Sequence, residues 1–199
     1  MSYHKENLKE HLIEIAWEIC KAESWQKVNM RKIAQKADVS TTAFYRHFKT
    51  KNDLKAELIL RGFEVLDEGR KSADIFASWG AHYIKFGLDN PYIYDLMFGN
   101  TDSDMHVNPD IEAHHHAALN ELYVSLENFM PDATEKDIRI KAVNIWASVH
   151  GLVGFLRRAS SQDSKSEELK WIENNLEEYL KMTTFRRRSG RRISSFETA

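Results

Sequence analysis

The spacing of the apolar residues constrains this chain more than any other feature, because they recur every three or four positions over most of its length. The first such stripe consists of Leu8, Leu12, Ile15, Ala16 and Ile19. A period near 3.6 residues places these side chains on one face of a helix. We find no alternating run bounded by hairpin turns and no repeat of solenoid length. The sequence therefore predicts an all-α protein.

The composition predicts a folded, soluble protein. Hydrophobic residues make up 42% of 199 residues, with three prolines and eight glycines, which excludes a disordered or low-complexity chain. The single cysteine, Cys20, excludes a disulfide framework and a multi-cysteine zinc site, and we expect it to be a small buried apolar residue. The longest apolar stretch, 143–156, is too short and too polar for a membrane span, and the first residues lack the apolar segment of a signal peptide. We expect a cytoplasmic protein.

Charge is distributed unevenly along the chain. Residues 1–61 carry 12 basic and 8 acidic side chains, whereas the overall net charge is −2. Within the segment 39–52 there are four cationic or titratable basic side chains and no acidic one: Arg46, His47, Lys49 and Lys51. This local excess favours a contact between the N-terminal part and a polyanion.

Capping residues divide the basic region into short helices. Asn29 is a typical N-cap, followed by a helix that ends near residues 37–38. Ser40 can cap a next helix from Thr41 to about His47, and Thr50 with Asp53 forms a capping box for a longer one. Two short helices joined by a tight turn are typical of a helix-turn-helix motif, whose second helix enters the DNA major groove.

A helical projection separates two faces of that second helix. Phe44 and Phe48 fall on one face and are expected to anchor it, whereas the opposite face carries Thr42, Tyr45, Arg46 and Lys49. The hydroxyl groups and Arg46 suit base edges, and Lys49 suits phosphate. Thr41 adds a hydroxyl at the helix start. Arg31 and Lys51 lie early in their own helices, where the free amides also favour an anion.

Four short motifs in this region resemble the N-terminal domain of the TetR family of transcriptional regulators. They are Ile33-Ala34, Ala37-Asp38-Val39-Ser40, Tyr45-Arg46-His47-Phe48 and Lys51-Asn52-Asp53-Leu54. The resemblance covers about residues 8–61 and implies base contacts from Thr41, Thr42, Tyr45 and Arg46, with phosphate contacts from Arg31, Tyr45, His47 and Lys51. The contact from His47 rests mostly on the resemblance. Asp38 and Ser24 stand where the family usually has glycine.

Further helices are expected over 75–86, 92–98, 111–130, 134–159 and 165–182, with a polar loop at 99–110. We therefore expect three parts. These are a helix-turn-helix domain at 1–61, an effector-binding and dimerisation bundle at 62–182, and a disordered basic tail at 183–199 with five arginines.

Residues 142–156 predict a helix buried almost all round, since only Asn144, Ser148 and His150 interrupt its apolar residues. One recognition helix reads only a few base pairs, so specificity requires a second copy. The resemblance implies a homodimer through the last two helices. The segment from Trp146 to His150-Gly151 also resembles the Trp-His-Gly signature of one C-terminal subset of the family.

Aromatic residues are concentrated in the acidic C-terminal part. By themselves they fit an ordinary core, whereas the resemblance implies a pocket for an unknown small-molecule effector, and both interpretations stay open. The candidate pocket residues are Trp79, Tyr83, Phe86, Tyr94, Trp146 and His150. Within a pocket, the tyrosine hydroxyls or His150 would orient the effector.

A metal site, a cofactor and an enzymatic activity are not expected. His114, His115 and His116, with His106 nearby, could suggest a metal site. Consecutive histidines on a helix point about 100° apart and cannot converge on one ion, and no cysteine or suitably spaced carboxylate pair assists. No paired nucleophile and base and no phosphate-binding glycine loop is found. The resulting hypothesis is a ligand-responsive repressor that binds a pseudo-palindromic operator as a dimer. A helical adaptor or an all-α enzyme remains the alternative.

Overall fold

A computed structural model describes residues 7–71, 76–99, 108–160 and 166–183. Within these ranges the chain forms α-helices and no strands, which confirms the predicted all-α class. The helices are α1 (Leu8–Glu23), α2 (Met30–Lys36), α3 (Thr41–His47), α4 (Lys51–Lys71), α5 (Phe76–Asp89), α6 (Pro91–Phe98), α7 (Pro109–Phe129), α8 (Glu135–Ser160), α9 (Glu167–Asn174) and α10 (Leu176–Thr183). A short 3₁₀ helix, Trp25–Lys27, separates α1 from α2.

The predicted caps define the N-terminal helices. The Asn29 side-chain oxygen accepts hydrogen bonds from the amides of Arg31 and Lys32, at 2.9 and 3.2 Å. Ser40 Oγ accepts one from the amide of Ala43 at 3.1 Å. These contacts satisfy backbone donors that have no partner inside the helix, and so determine where α2 and α3 begin.

The capping box at the start of α4 is also confirmed. The amide of Thr50 donates to Asp53 Oδ2 at 2.9 Å, and the amide of Asp53 donates to Thr50 Oγ1 at 3.1 Å. These bonds lower the pKa of the Asp53 carboxyl group, because they stabilise its ionised form. The helix then continues without interruption past residue 61, where we expected one domain to end. Helix α4 therefore belongs to both halves of the molecule.

The N-terminal core lies between α1, α2, α3 and the first turns of α4. Its centre consists of Leu12, Ala16, Cys20, Ile33, Phe44, Phe48, Leu54 and Leu58, each no more than 1% exposed. Cys20 is buried as expected, and this burial raises the pKa of its thiol to about 11. It is therefore a protonated packing group at neutral pH.

The C-terminal half is built around α5, which packs against α4, α6, α8 and α10. A second, smaller core joins α7 to α8 through Leu122, Leu126, Ile138, Ala142 and Ile145. Capping by Thr134 and Asp137 begins α8, as predicted. In the described part of the chain, no helix has the length and apolar character needed to cross a membrane.

The last predicted helix is two helices. The chain leaves helical geometry at Asn175, with φ −132° and ψ 39°, and the Asn175 side chain donates to the carbonyl of Trp171 at 2.8 Å. An asparagine side chain competes with the backbone for such carbonyls, which is why this residue interrupts the helix. Thr183 belongs to α10, whereas residues 184–199 of the expected tail lie outside the described residues.

Candidate nucleic-acid interface

The recognition helix α3 is held by two phenylalanines. Phe44 and Phe48 are 0% and 1% exposed, and their ring centroids are 5.3 Å apart. Both lie one turn apart on the face predicted to anchor the helix. Because this face is fully buried, the opposite face has a defined orientation relative to the rest of the N-terminal domain.

The opposite face of α3 is open to solvent. All the side chains expected to project from it or from its C-terminal end are exposed: Thr41, Thr42, Tyr45, Arg46, His47 and Lys49. Tyr45 is 42% exposed, and its ring stands edge-on to Phe44 at 5.9 Å. A large aromatic side chain held in this way presents its outer edge and its hydroxyl group to a partner.

A surface groove of about 440 Å³ connects three of the expected contact residues, Arg31, Tyr45 and Lys51. The same groove is lined by Lys27 and Lys32, which sequence analysis did not select. The sequence contained a signal for them, because residues 24–37 have no acidic side chain and only Asp38 separates them from the cationic segment that begins at residue 39. Four of the lining residues are cations, so the groove attracts anions.

Lys51 is held more closely than its position at a helix start suggests. Its ammonium group donates to the carbonyl of Trp25 at 3.3 Å and lies 4.4 Å from the centroid of the Trp25 ring. Partial burial lowers its pKa below the usual value for lysine. An ammonium group has three N–H donors, so donors remain for a phosphate at the edge of the groove.

The two positions where the family usually has glycine both adopt positive φ. Asp38 has φ 54°, the left-handed conformation that aspartate tolerates better than most residues. Ser24 has φ 94° and ψ 161°, a region that is almost exclusive to glycine. The turn geometry is therefore kept at both positions, with backbone strain at Ser24.

An aromatic cluster lies between α5, α6 and α8, and Tyr83 is at its centre. The Tyr83 ring centroid lies 5.2–6.2 Å from those of Trp79, Tyr94, Phe98, Trp146 and His150. Tyr83 and Tyr94 are buried, whereas Trp79, Trp146 and His150 are half-buried and form the rim. The structure therefore brings together five of the six candidate pocket residues.

The sixth candidate, Phe86, is buried on α5 but makes no ring contact with this cluster among the described residues. Phe98 occupies a central position instead, with centroid distances of 4.9 Å to Tyr94 and 5.0 Å to His150. The sequence places Phe98 in the aromatic region without distinguishing it. Tyr92, from the same region, is 40% exposed and lies outside the cluster.

Three polar groups inside the cluster bind one another. The Tyr94 hydroxyl lies 2.7 Å from His150 Nδ1, and the Tyr83 hydroxyl lies 2.9 Å from His150 Nε2. Both hydroxyl groups therefore meet the same imidazole ring. Burial lowers the pKa of His150 to about 4 and raises the pKa of both tyrosines, so all three groups are uncharged at neutral pH.

The histidine run does not form a metal site in the described part of the chain. His114 stacks on Phe63 with a ring distance of 5.4 Å, and its Nδ1 lies 3.7 Å from Asp67 Oδ2. His115 stands edge-on to the same phenylalanine at 5.0 Å. No three histidine, cysteine or carboxylate groups converge among the residues described. His106 lies outside these residues.

Helix α8 is not buried all round in a single chain, contrary to our expectation. Ile140, Val143 and Phe155 are 51%, 59% and 62% exposed. Between them, Ala147, Gly151 and Gly154 are also exposed, and a Cβ atom added at either glycine would meet no atom within 4 Å. The apolar residues of α8 therefore lie on two faces of the helix, one packed in the core and the other exposed to solvent.

Two family models match the chain. The model for bacterial regulatory proteins of the tetR family matches residues 12–58, and the tetracyclin repressor-like C-terminal domain matches residues 76–168. The first match contains α2, α3 and the start of α4, and the second contains the aromatic cluster and α8. Together they cover more than two thirds of the chain.

Solved structures share the fold at low identity. A protein with unknown function from Rhodococcus is 20% identical, with a TM-score of 0.68 over 90% of this chain and 98% of that chain. A tetR-family regulatory protein from Rhodococcus is 19% identical, with a TM-score of 0.59 over 89% and 97%. Superantigen PfiT is 13% identical, with a TM-score of 0.62 over 89% and 96%.

Because these structures carry different descriptions, their likeness shows the fold alone, and the two family models identify the family. One of these models lies on the helix-turn-helix and the other on the C-terminal bundle. The chain belongs to the TetR family of bacterial regulatory proteins, and it is a DNA-binding transcriptional regulator.

Proposed function

We propose that this protein is a ligand-responsive repressor that binds a pseudo-palindromic operator as a homodimer and acts in the cytoplasm, where the operator is. One observation carries the proposal. The face of α3 that bears Thr42 and Tyr45 is exposed, while Phe44 and Phe48 hold the opposite face in the core. A helix fixed in this way can enter a major groove without rearrangement of the domain.

The contacts divide into two kinds. Thr41, Thr42, Tyr45 and Arg46 lie on or near the exposed face of α3 and would meet base edges or thymine methyl groups. The groove next to this face would hold a phosphate, and its cations are Lys27, Arg31, Lys32 and Lys51. His47 and Lys49, exposed at the end of α3, would contact the same backbone farther along.

The homodimer would form through α8 and the α9–α10 pair. Phe155 is 62% exposed on α8 and Trp171 is 44% exposed on α9, which is unusual for large apolar side chains in a lone protomer. Gly151 and Gly154 allow a second helix to approach closely between the larger side chains. An isologous contact of this kind would bring two copies of α3 to successive turns of the duplex.

The effector would bind at the aromatic cluster. A route to DNA exists through α4, because Phe63 on α4 contacts both Phe98 and His115, at 5.9 and 5.0 Å. The first residue of the same helix is Lys51, in the cationic groove. A ligand that displaces Phe98 would move α4 and change the spacing of the two recognition helices. Operator DNA would then weaken effector binding by the same factor.

A salt titration tests the DNA-binding part of this proposal. The full-length chain is titrated with duplexes that tile its own upstream region, at several salt concentrations, and binding is followed by fluorescence anisotropy. The logarithm of the binding constant should fall with the logarithm of salt by about 0.9 per phosphate neutralised. An adaptor or an enzyme would bind none of these duplexes.

The chain offers a matched pair of tyrosines for this experiment. Tyr45 and Tyr92 are 42% and 40% exposed, but only Tyr45 lies on α3. Tyr45→Ala should lower affinity for the preferred duplex about tenfold or more, whereas Tyr92→Ala should leave it unchanged. Equal effects of the two substitutions would reject α3 as the DNA-reading element.

A further inference from the structure

The indole N–H of Trp79 is buried without a hydrogen-bond acceptor among the residues that the structure describes. Buried donors almost always have a partner, because an unpaired one loses its bond to water and gains nothing in return. Trp79 lies at the rim of the aromatic cluster, with its ring 5.9 Å from that of Tyr83. The donor is thus a buried, unpaired group at the edge of the candidate effector site.

The other polar groups of the cluster are already satisfied. Both tyrosine hydroxyl groups lie within hydrogen-bond distance of the His150 imidazole, the Tyr94 oxygen 2.7 Å from Nδ1 and the Tyr83 oxygen 2.9 Å from Nε2. A ligand that used any of these groups would first have to break these contacts. The sequence led us to expect these groups to orient an effector, whereas their geometry leaves that role to another residue.

Packing accounts for the second unpartnered atom. His82 Nε2 is also buried without a partner in the described ranges, but it lies against Gly69, where an added Cβ would come within 1.9 Å of it. No ligand atom fits between the two. Of these two atoms, the Trp79 nitrogen is the one that remains for a ligand.

Charge limits what the site accepts. The imidazole of His150 is neutral, and both tyrosine hydroxyls are protonated. Arg157, a cation at the edge of the cluster, lies 5.9 Å from the Tyr94 ring centroid and is engaged by Asp95 through two hydrogen bonds of 2.6 and 2.7 Å. A charged ligand would lose hydration without gaining a counter-ion.

We propose that Trp79 orients the effector, and that the effector is an uncharged planar molecule whose hydrogen-bond acceptor meets the indole N–H. The inference rests on the proposed effector response and names the chemistry of that site. A planar shape suits this site, since the rings of Trp79, Tyr83, Trp146 and His150 contact one another there and a flat molecule can replace or extend such contacts. The half-buried rim formed by Trp79 and Trp146 is the entrance.

Two molecules of the same shape test this proposal. Quinoline and naphthalene differ by one ring nitrogen, which accepts a hydrogen bond and is uncharged at pH 8, and 1-naphthoate adds a negative charge. Binding to the full-length chain is measured by isothermal titration calorimetry at pH 8. Quinoline should bind about five- to tenfold more tightly than naphthalene, the gain of one hydrogen bond, and 1-naphthoate should bind more weakly than both. Equal affinity for quinoline and naphthalene, or tighter binding of 1-naphthoate, would overturn the proposal.

A variant pair locates the donor. Trp79→Phe keeps an aromatic wall and removes the N–H group, so the preference for quinoline should disappear while naphthalene still binds. Trp146→Phe removes an indole N–H from the other side of the rim and should keep the preference. A preference that survives in Trp79→Phe contradicts the assignment. If this variant does not fold, NMR of the wild-type chain tests the assignment instead. Quinoline, but not naphthalene, should then shift one of the indole ¹⁵N–¹H resonances strongly downfield.

Duplex binding separates this inference from the proposed function. Trp79→Phe should bind DNA like the wild type in the absence of quinoline, because Trp79 lies outside α3 and the cationic groove. Loss of duplex binding by every form of the chain would reject the proposed function and leave the calorimetric result standing. Normal duplex binding with no preference for quinoline would reject the inference alone.

Discussion

The imidazole of His82 lies directly against the backbone of Gly69, so that a Cβ atom at position 69 would be 1.9 Å from His82 Cε1 and Nε2. This contact joins α5, which carries Trp79 and Tyr83, to the helix that begins in the DNA-binding domain. With any other residue at position 69, the His82 ring would have to move.

Gly69→Ala should therefore destabilise the protein by about 1–3 kcal/mol, because the added methyl group would overlap the packed His82 ring and force it out of its place. Helix propensity alone would predict the opposite sign, a gain of about 1 kcal/mol. The free energy of unfolding in urea measures the effect. In the double variant with His82→Ala the clash is absent, so the destabilisation caused by Gly69→Ala should largely disappear. Additive effects would show that the ring is not the obstacle.

Ser24→Gly should stabilise the protein by about 1 kcal/mol, because serine at φ 94° and ψ 161° stores strain that glycine relieves. Asp38→Gly should increase stability by a smaller amount, since φ 54° is a conformation that aspartate tolerates. Thermal unfolding of the two variants gives the ranking. Ser24→Ala is the control and should gain nothing, because alanine is strained there as well.

Arg46→Ala and Lys49→Ala should weaken DNA binding in different ways, although both side chains are exposed. If Arg46 meets a guanine, its loss costs about 1–3 kcal/mol on the preferred duplex and little on others. Loss of a phosphate contact from Lys49 should weaken all duplexes equally and reduce the salt slope by about one contact. Affinities for the preferred and a scrambled duplex distinguish the two. A uniform loss for Arg46→Ala would make it a phosphate ligand.

Phe155→Glu should separate the proposed dimer, because it places a charge in the middle of the exposed apolar face of α8. Light scattering after gel filtration should give twice 23.2 kDa for the wild type and 23.2 kDa for the variant. Val65→Glu on α4 is the control, since Val65 is 38% exposed but lies outside α8, α9 and α10. A wild type that is monomeric at micromolar concentration would reject this interface.

Acid should destabilise the fold through His150, whose pKa falls from 6.5 in a free side chain to about 4 in the folded protein. Between these values the unfolded chain binds more protons than the folded one, so stability decreases as the pH falls from 6.5 toward 4. We expect a loss on the order of 1–2 kcal/mol, less than full burial would give, because the ring is partly exposed.

His150→Gln provides the comparison for this pH dependence. Glutamine keeps hydrogen-bonding groups and has no charge at any pH, so the variant should lose less stability over the same window. The lowered pKa of His82 contributes equally to both proteins and cancels in the difference. Urea unfolding at pH 4.5, 5.5 and 7 measures it. Parallel curves for the two proteins would contradict the burial of His150.

The sequence predicted the N-terminal helices closely because their signals are local. The caps at Asn29, Ser40 and Thr50 act on amides two or three residues away, and the 3.6-residue period separates Phe44 from Tyr45. Local reasoning was wrong for the last helix, where the Asn175 side chain ends α9 by binding the carbonyl of Trp171. A side chain that competes with the backbone is visible in the sequence, but whether it succeeds depends on the surrounding packing.

By itself, then, the sequence determined the N-terminal helices, their order and the two faces of α3, since each depends on neighbours within one or two turns. Tertiary structure alone decided that His150 meets Tyr83 and Tyr94, which are 67 and 56 residues away in the sequence. It also decided that Lys51 donates a hydrogen bond to the carbonyl of Trp25. It also decided which half of the apolar α8 stays open. These outcomes depend on how whole helices pack, and hydrophobic periodicity carries no information about which partner a buried face will find.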